Sequence, residues 1–202
     1  MLSEDAIAHP IQQRWRVEAD YFHRQINNQT LAPTHQVRYK DDIHEYYLNM
    51  AVQLLTPLYS CNRPPGAAGA ILVTPDWVIF GHVAPANLHD PSCKDAGCEM
   101  EDGHCVRTIH AERRCLLYAA RAGIAMQPGG EPKSNIVRLY SILKPCYECS
   151  KEIVVAGVSE VYYAGAAYDA PNTRSVLLSA GIKCEYIDIG IDYGLTAKQS
   201  KQ

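Results

Sequence analysis

The chain has 202 residues, of which 47% are hydrophobic and 20% are charged, and its formal net charge is −3 at pH 7. This length is sufficient for one α/β domain with its own core, and the composition excludes a disordered chain. The longest apolar runs are far too short to span a bilayer, and the absence of a basic excess argues against a protein that binds nucleic acid through its phosphates.

The composition divides the chain into three segments. Residues 1–40 are polar and mixed, and we expect them to form an N-terminal extension. Residues 41–190 carry the elements of the main domain, and residues 191–202 are expected to be a C-terminal tail. The first ten residues contain neither a basic region nor an apolar signal core, so we expect no secretion signal and a location in the cytoplasm.

The first predicted elements of the main domain are a helix and a hairpin. The stretch DDIHEYYLNMAVQLLTPLY begins with aspartates suited to an N-cap and continues with apolar residues at helical spacing. The strand-like stretches GAILV and WVIFGHV follow, separated by the turn sequence TPD. Residues 84–108 show no periodicity and are predicted to form a long loop, which needs either a function or a cross-link.

Strands and helices alternate in the second half of the chain. A helix is predicted from about His110 to Ala122, ended by Gly123. It is followed by the strand NIVRLYSIL, the helix CYECSKEIVVAG, the strand SEVYYAG, the helix TRSVLLSAG and the strand KCEYIDI. Such alternation produces βαβ units with parallel strands and right-handed crossovers. The predicted fold is therefore a three-layer α/β/α sandwich with a mixed sheet of about five strands.

Two short motifs lie at predicted helix starts: HAE, which begins at His110, and PCYEC, which ends at Cys149. His110, Cys146 and Cys149 suit tetrahedral zinc, and three protein ligands leave a fourth position for water, as in catalytic sites. Zinc lowers the pKa of a bound water, so that hydroxide forms near neutral pH. Glu112 can then take the proton from that water and pass it to a leaving amine. H-x-E alone is common on the surface of helices, and C-x-x-C alone is explained by a structural zinc half-site or a redox pair. H-x-E together with P-C-x-x-C is the signature of zinc nucleobase deaminases.

Several longer segments resemble the deoxycytidylate (dCMP) deaminases, most of all the bacterial and phage members, including the competence-operon type. The segments are CNRPPGAAGAILV, GCEMEDGHCVRTIHAE, ARAGI, KPCYECSKEIVVAGVSEVYY and LLSAGI, and they span about residues 41–188 in order. The resemblance implies a cytidine-deaminase-like fold and the hydrolytic loss of ammonia from carbon 4 of cytosine, which converts dCMP to dUMP. It also implies catalytic zinc on the His/Cys/Cys set, Glu112 as the proton shuttle, and a homo-oligomer regulated by dCTP and dTTP.

The same resemblance implies where a nucleotide would be bound. The backbone around Ala111 would contact the pyrimidine carbonyl, next to Pro145 of the PCYEC motif. Tyr168 matches a tyrosine that often follows the fourth strand in the family; it would either stack on the base or pack at the rim or in the core.

The chain departs from the family pattern at two positions. Where the family has GYNG, whose Asn contacts the sugar, this chain has GHVAPAN, so that Val83 stands at the Asn position and Asn87 would compensate in part. Where the family has HAExNAI, this chain has Arg114 in place of Asn. Arg114 would bind a phosphate or another acidic group if it faces the pocket, and would have no such role if it faces solvent.

The cysteines outside the PCYEC motif fall into two groups. Cys115 and Cys184 lie in apolar stretches and are predicted to be buried as small hydrophobic residues. The others are predicted to hold a second, structural zinc that fastens the long loop to the domain. Its ligands would be Cys61, Cys98 and Cys105, completed by Cys93 or His104. Free thiols on a loop are the alternative, although exposed thiols in such numbers are prone to oxidation.

Other functions remain open at this stage. A deaminase of a free nucleoside, a modified cytidine or another amino-heterocycle is the main alternative, because both asparagines are missing. A nucleic-acid deaminase is not expected at a net charge of −3 without an aromatic and basic surface. A non-catalytic zinc scaffold is disfavoured because it has no need for Glu112.

Overall fold

The computed structural model describes most of the main domain. The described residues are 43–54, 61, 68–87, 89–101, 104–124, 126, 136–165 and 171–190. The predicted extension at 1–40, the predicted tail at 191–202 and Tyr168 lie outside them, so the domain boundaries and the role of Tyr168 stay predictions. Among the described residues, no helix is both long enough and apolar enough to cross a membrane.

The described chain contains five helices and nine strands. The helices are α1 Ile43–Gln53, α2 Cys93–Ala96, α3 Ala111–Arg121, α4 Tyr147–Ala156 and α5 Pro171–Ser179. The strands are β1 Gly69–Val73, β2 Val78–His82, β3 Ala84–Pro85, β4 Met100–Glu101, β5 His104–Cys105, β6 Thr108–Ile109, β7 Arg138–Leu143, β8 Glu160–Gly165 and β9 Lys183–Tyr186.

Five strands form one mixed sheet in the order β2-β1-β7-β8-β9. The predicted hairpin is present, with β1 antiparallel to β2, and β1 is also antiparallel to β7. The strands of the second half, β7, β8 and β9, run parallel to one another. The mixed five-stranded sheet and its parallel half are therefore confirmed.

Close contacts at two glycines show that helices cover both faces of the sheet. A Cβ on Gly69 would collide with the carbonyl oxygen of Ala51 in α1, and one on Gly81 would collide with that of Ala111 in α3. Gly81 pairs with Ala70, so its face is opposite to that of the neighbouring Gly69. Helices α1 and α3 therefore pack on opposite faces, and α4 lies beside α3.

The core fills the space between the sheet and these helices. Leu48, Ile71, Leu139 and Ile153 are among its fully buried side chains. Cys115 is also fully buried, as predicted. The prediction for Cys184 was only partly right: it packs against the core but is partly exposed, because β9 is an edge strand.

The segment predicted as one long loop, residues 84–108, contains short ordered elements. Ser92 and Asp95 form a capping box at the start of α2, and two-residue ladders join β3 to β6 and β4 to β5. Two-residue strands are too short to produce a periodic pattern in the sequence, which explains why the prediction missed them.

Candidate metal centre and active site

Both motifs begin at the N-terminus of a helix that packs against the sheet. His110 is the N-cap residue of α3, and its side chain makes no capping hydrogen bond, which leaves the imidazole available. Cys146 is the N-cap residue of α4, and Cys149 lies one turn further on, so that both thiols are at the same helix end. Glu112 lies in the first turn of α3.

The three predicted zinc ligands converge. Nδ1 of His110 lies 3.5 Å from Sγ of Cys146 and 3.5 Å from Sγ of Cys149, and the three ligand atoms lie within 4.8 Å of one another. Zinc–sulfur bonds of about 2.3 Å and a zinc–nitrogen bond of about 2.0 Å at tetrahedral angles place sulfur and nitrogen about 3.5 Å apart. The donor set and its spacing therefore fit zinc.

The surroundings of Cys146 favour its thiolate. Hydrogen bonds from Cys149 and His110 lower the pKa of the Cys146 thiol to about 3, and the same contact with Cys146 raises the pKa of His110. The N-terminus of α4 adds partial positive charge at this position. A thiolate is the form that binds a metal, so Cys146 is prepared for zinc. The contact with Cys146 raises the pKa of the Cys149 thiol, which would therefore lose its proton when a metal binds.

Glu112 is buried, with 4% of its surface exposed. The hydroxyl of Ser141, on β7, donates a hydrogen bond of 3.0 Å to Oε1 of Glu112. Burial raises the pKa of this carboxyl, while the nearby His110 and the hydrogen bond from Ser141 oppose the rise. A buried carboxyl with a raised pKa beside a metal centre is suited to accepting and releasing a proton.

Ser141 and the ion pair between Arg113 and Glu152 were not identified from the sequence. Nε of Arg113 donates to Oε2 of Glu152 over 2.9 Å and so joins α3 to α4, the two helices that carry the zinc ligands. Only the hydroxyl within the apolar strand RLYSIL could have drawn attention to Ser141.

Arg114 does not face solvent, because only 3% of its surface is exposed. Its Nε donates to the carbonyl oxygen of His82 over 3.0 Å, and its Nη2 donates to those of Ala84 and Pro85, each over 2.7 Å. Its Nη1 donates to the hydroxyl of Tyr118 over 3.2 Å. The solvent-facing alternative is therefore wrong, and the guanidinium is bound to protein backbone.

The structure locates four further predicted substrate contacts. Ala111, within the HAE motif, and Pro145, the first residue of PCYEC, are both buried. The side chain of Val83 packs against the core. Asn87 lies in an exposed turn where its amide bonds Asp90 and the backbone of residue 89, so both ends of the amide are occupied there. The contacts of all four with a substrate stay predictions.

Four cysteines form a second cluster. Sγ of Cys61 lies 3.6 Å from Sγ of Cys98, and Sγ of Cys93 lies 3.5 Å from Sγ of Cys105. All four sulfurs lie within 4.8 Å of one another, and tetrahedral zinc thiolates have sulfurs about 3.8 Å apart. Of the two candidates for the fourth ligand, the structure brings Cys93 into the group, and His104 lies in β5.

Comparison with known proteins agrees with this fold and site. Residues 41–165 match the family described as the cytidine and deoxycytidylate deaminase zinc-binding region. ComE operon protein 2 of Bacillus subtilis (strain 168) is 32% identical over 146 residues, which cover 72% of this chain and 71% of that protein. The deoxycytidylate deaminase of Saccharomyces cerevisiae is 28% identical over 114 residues, which cover 56% of this chain and 36% of the yeast protein.

A solved structure is also similar. The dCMP deaminase of the cyanophage S-TIM5, in complex with dCMP and dUMP, is 26% identical with a TM-score of 0.54, covering 73% of this chain and 98% of that chain. The fold is thus that of a zinc-binding deaminase, and the His/Cys/Cys group fits the metal that the family description names. The chain belongs to the cytidine and deoxycytidylate deaminase family. The resemblance and the fold class predicted from the sequence are confirmed.

Proposed function

We propose that this protein is a zinc-dependent hydrolase that converts dCMP to dUMP and ammonia. The observation that carries the proposal is the buried carboxyl of Glu112. Glu112 lies two residues after the proposed ligand His110, in the first turn of the helix that His110 caps. A site that only stored zinc would not require a buried carboxyl there, since burying such a group without a role is costly. The similarity to a dCMP deaminase that was solved with dCMP and dUMP supports the choice of substrate.

The chain's own residues account for the proton transfers that this reaction needs. Zinc on His110, Cys146 and Cys149 would supply an activated water as the nucleophile. Glu112 carries the two protons of that water in turn: the first goes to ring nitrogen 3 as the water oxygen adds to carbon 4, and the second goes to the amino group. The carbon–nitrogen bond then breaks, ammonia leaves and a carbonyl remains at carbon 4. The hydroxyl of Ser141 holds Oε1 of Glu112, so that Oε2 is left for proton transfer.

We also infer that the four-cysteine cluster holds a second, structural zinc. Four cysteine ligands close the coordination sphere, which is typical of structural rather than catalytic zinc. Cys105 lies only a few residues before His110, and Cys93 lies in α2 within the long connecting segment. A metal at this position would fasten that segment close to the point where it enters the active site.

A different amino-heterocycle is the second candidate substrate. Val83 stands where the family has an asparagine that contacts the sugar, and its aliphatic side chain packs against the core. Such a side chain offers no hydrogen bond to a sugar hydroxyl, which favours an amino-heterocycle that is not held through a sugar. A free nucleoside or a modified cytidine is a further candidate. A homo-oligomeric state, regulation by dCTP and dTTP, and a cytoplasmic location also stay predictions.

Ammonia release by the purified, zinc-loaded protein tests the proposal. Cytidine, deoxycytidine, CMP, dCMP and dCTP are offered in parallel, with Glu112→Gln as the blank. A clear preference for dCMP is the expected result. If none of the five is converted while zinc is bound, the cytosine substrates are excluded and the search moves to other amines.

A further inference from the structure

The two positions that depart from the dCMP deaminase pattern lie next to each other in the structure. Val83 is within residues 82–85, and the guanidinium of Arg114 binds three backbone carbonyls of this stretch, which we call the rim segment. The backbone N–H of Val83 is fixed as well, since it donates to the carbonyl of Ala68 over 3.0 Å. The rim segment is therefore held by hydrogen bonds on both of its sides.

The rim segment borders the metal centre. In its second half, β3 pairs with β6, where Ala84 lies opposite Ile109, the residue directly before the zinc ligand His110. Gly81, the residue directly before the rim segment, lies so close to the carbonyl of Ala111 that there is no room for a Cβ. The backbone held by Arg114 thus runs alongside the residues that present His110 and Glu112.

The charge of Arg114 is balanced by backbone dipoles. Among the residues that the structure describes, no carboxylate forms an ion pair with this guanidinium. The neighbouring imidazole of His82 adds no second positive charge. Burial and, to a smaller extent, the charge of Arg114 together lower the pKa of His82 to about 4, and the imidazole is therefore neutral. Four of the five N–H donors of the guanidinium are used by His82, Ala84, Pro85 and Tyr118. Only one donor, on Nη1, is left for any other group.

We propose that Arg114 is a positioning residue, which fixes the rim segment as one edge of the substrate pocket and does not bind the substrate's phosphate. The inference rests on the proposed deaminase function. A guanidinium is suited to this role because its donors point in fixed directions within one plane, whereas a lysine offers a single point of charge. An asparagine at position 114 has only two N–H donors on a shorter side chain, so it could not reach all three carbonyls.

Two substrates distinguish positioning from phosphate binding. KM and kcat are measured for dCMP and deoxycytidine with Arg114→Met, Arg114→Lys and the control Tyr118→Phe. The control removes the hydroxyl that accepts from Nη1 of Arg114 and leaves the three bonds to the rim segment in place. We expect both Arg114 variants to raise KM by about tenfold for both substrates, a change equivalent to about 1.4 kcal/mol, with a smaller effect on kcat. Tyr118→Phe should stay close to the unaltered protein, and zinc content should not change in any variant.

The alternatives give different results. If Arg114 binds phosphate, the loss is confined to dCMP, and Arg114→Lys restores much of it because the charge is kept. If Arg114 only stabilises the domain, the Tm falls while KM for both substrates is unchanged. If both Arg114 variants lose zinc and fold together, Arg114 is needed by the whole domain rather than by the rim segment. Each of these results overturns the proposal.

Hydrogen exchange supplies a readout that does not need activity. The amides of residues 82–87 should exchange faster in both Arg114 variants than in Tyr118→Phe, while the central strands β1 and β7 exchange as in the unaltered protein. If the unaltered protein converts none of the substrates, the proposed function fails. Unchanged exchange in residues 82–87 would contradict the positioning role in either case.

Discussion

The hydroxyl of Ser141 donates a hydrogen bond of 3.0 Å to Oε1 of Glu112, and both side chains are buried. Ser141 lies on β7 and Glu112 in the first turn of α3, so this bond connects the sheet to the predicted proton shuttle. A carboxyl held at one oxygen has a fixed orientation at the other. The bond therefore helps to orient the carboxyl of Glu112 at the start of α3.

Replacing Ser141 by alanine should lower kcat and leave KM nearly unchanged. A hydrogen bond to a charged group contributes roughly 1.5–3 kcal/mol, so a loss of about tenfold in kcat is expected when part of this is lost in the transition state. Steady-state kinetics with the preferred substrate measure it. Ser141→Thr, which keeps the hydroxyl, should recover most of the activity, and Ser159→Ala, distant from the site, serves as the control. An unchanged kcat in Ser141→Ala would mean that Glu112 is oriented by other contacts.

Replacing Glu112 by glutamine should lower kcat strongly without removing zinc. General acid–base catalysis contributes about 10²–10⁴-fold, and kcat should fall within that range. The free energy of unfolding should rise, because a neutral amide is less costly to bury than a carboxylate. Kinetics, metal analysis and thermal unfolding check the three effects. Retained activity would exclude Glu112 as the proton shuttle.

The sequence predicted the main sheet and the grouping of His110, Cys146 and Cys149 because both depend on local patterns. GAILV is a continuous apolar run and RLYSIL is mostly apolar, and both form inner strands of the sheet. The HAE and PCYEC motifs place their candidate ligands within one helical turn. The fourth member of the cysteine cluster could not be chosen in this way. Both Cys93 and His104 lie close to Cys105 in sequence, and only the tertiary fold shows that Sγ of Cys93 lies 3.5 Å from Sγ of Cys105.

The environment of Arg114 illustrates a second limit of sequence reasoning. Charged side chains are seldom fully buried without a partner, and the partners of Arg114 are backbone carbonyls of His82, Ala84 and Pro85, which leave no signature in side-chain patterns. The hydrogen bond from Ser141 to Glu112 is similar, since it depends on the register between β7 and α3 rather than on either segment alone.

Metal analysis should find two zinc ions per chain. Cys146→Ser should remove one zinc and all activity, because Cys146 is one of the three ligands proposed for the catalytic zinc. Cys93→Ser should remove the other zinc and lower the free energy of unfolding by about 2 kcal/mol or more, since losing a structural metal is among the large destabilising changes. Cys184→Ser, which changes a partly exposed thiol on β9, is the matched control and should keep both ions. A single zinc in the unaltered protein would contradict the structural site.

His82 should make the stability of the domain depend on pH. Burial and then the charge of Arg114 lower its pKa from the ordinary 6.5 to about 4 in the folded protein. Between these values the unfolded chain binds more protons, so the stabilisation is complete above about pH 6.5 and is lost as the pH falls toward 4. At about 1.4 kcal/mol per pKa unit, the difference between 6.5 and about 4 amounts to about 3.5 kcal/mol at most. Thermal unfolding at pH 7 and pH 5 measures this loss of stability. His82→Gln is the comparison, because the zinc ligands titrate in both proteins and their contribution is therefore shared. The unaltered protein should lose more stability between these two pH values than His82→Gln, and an equal loss in both would mean that the imidazole is not held neutral by its surroundings.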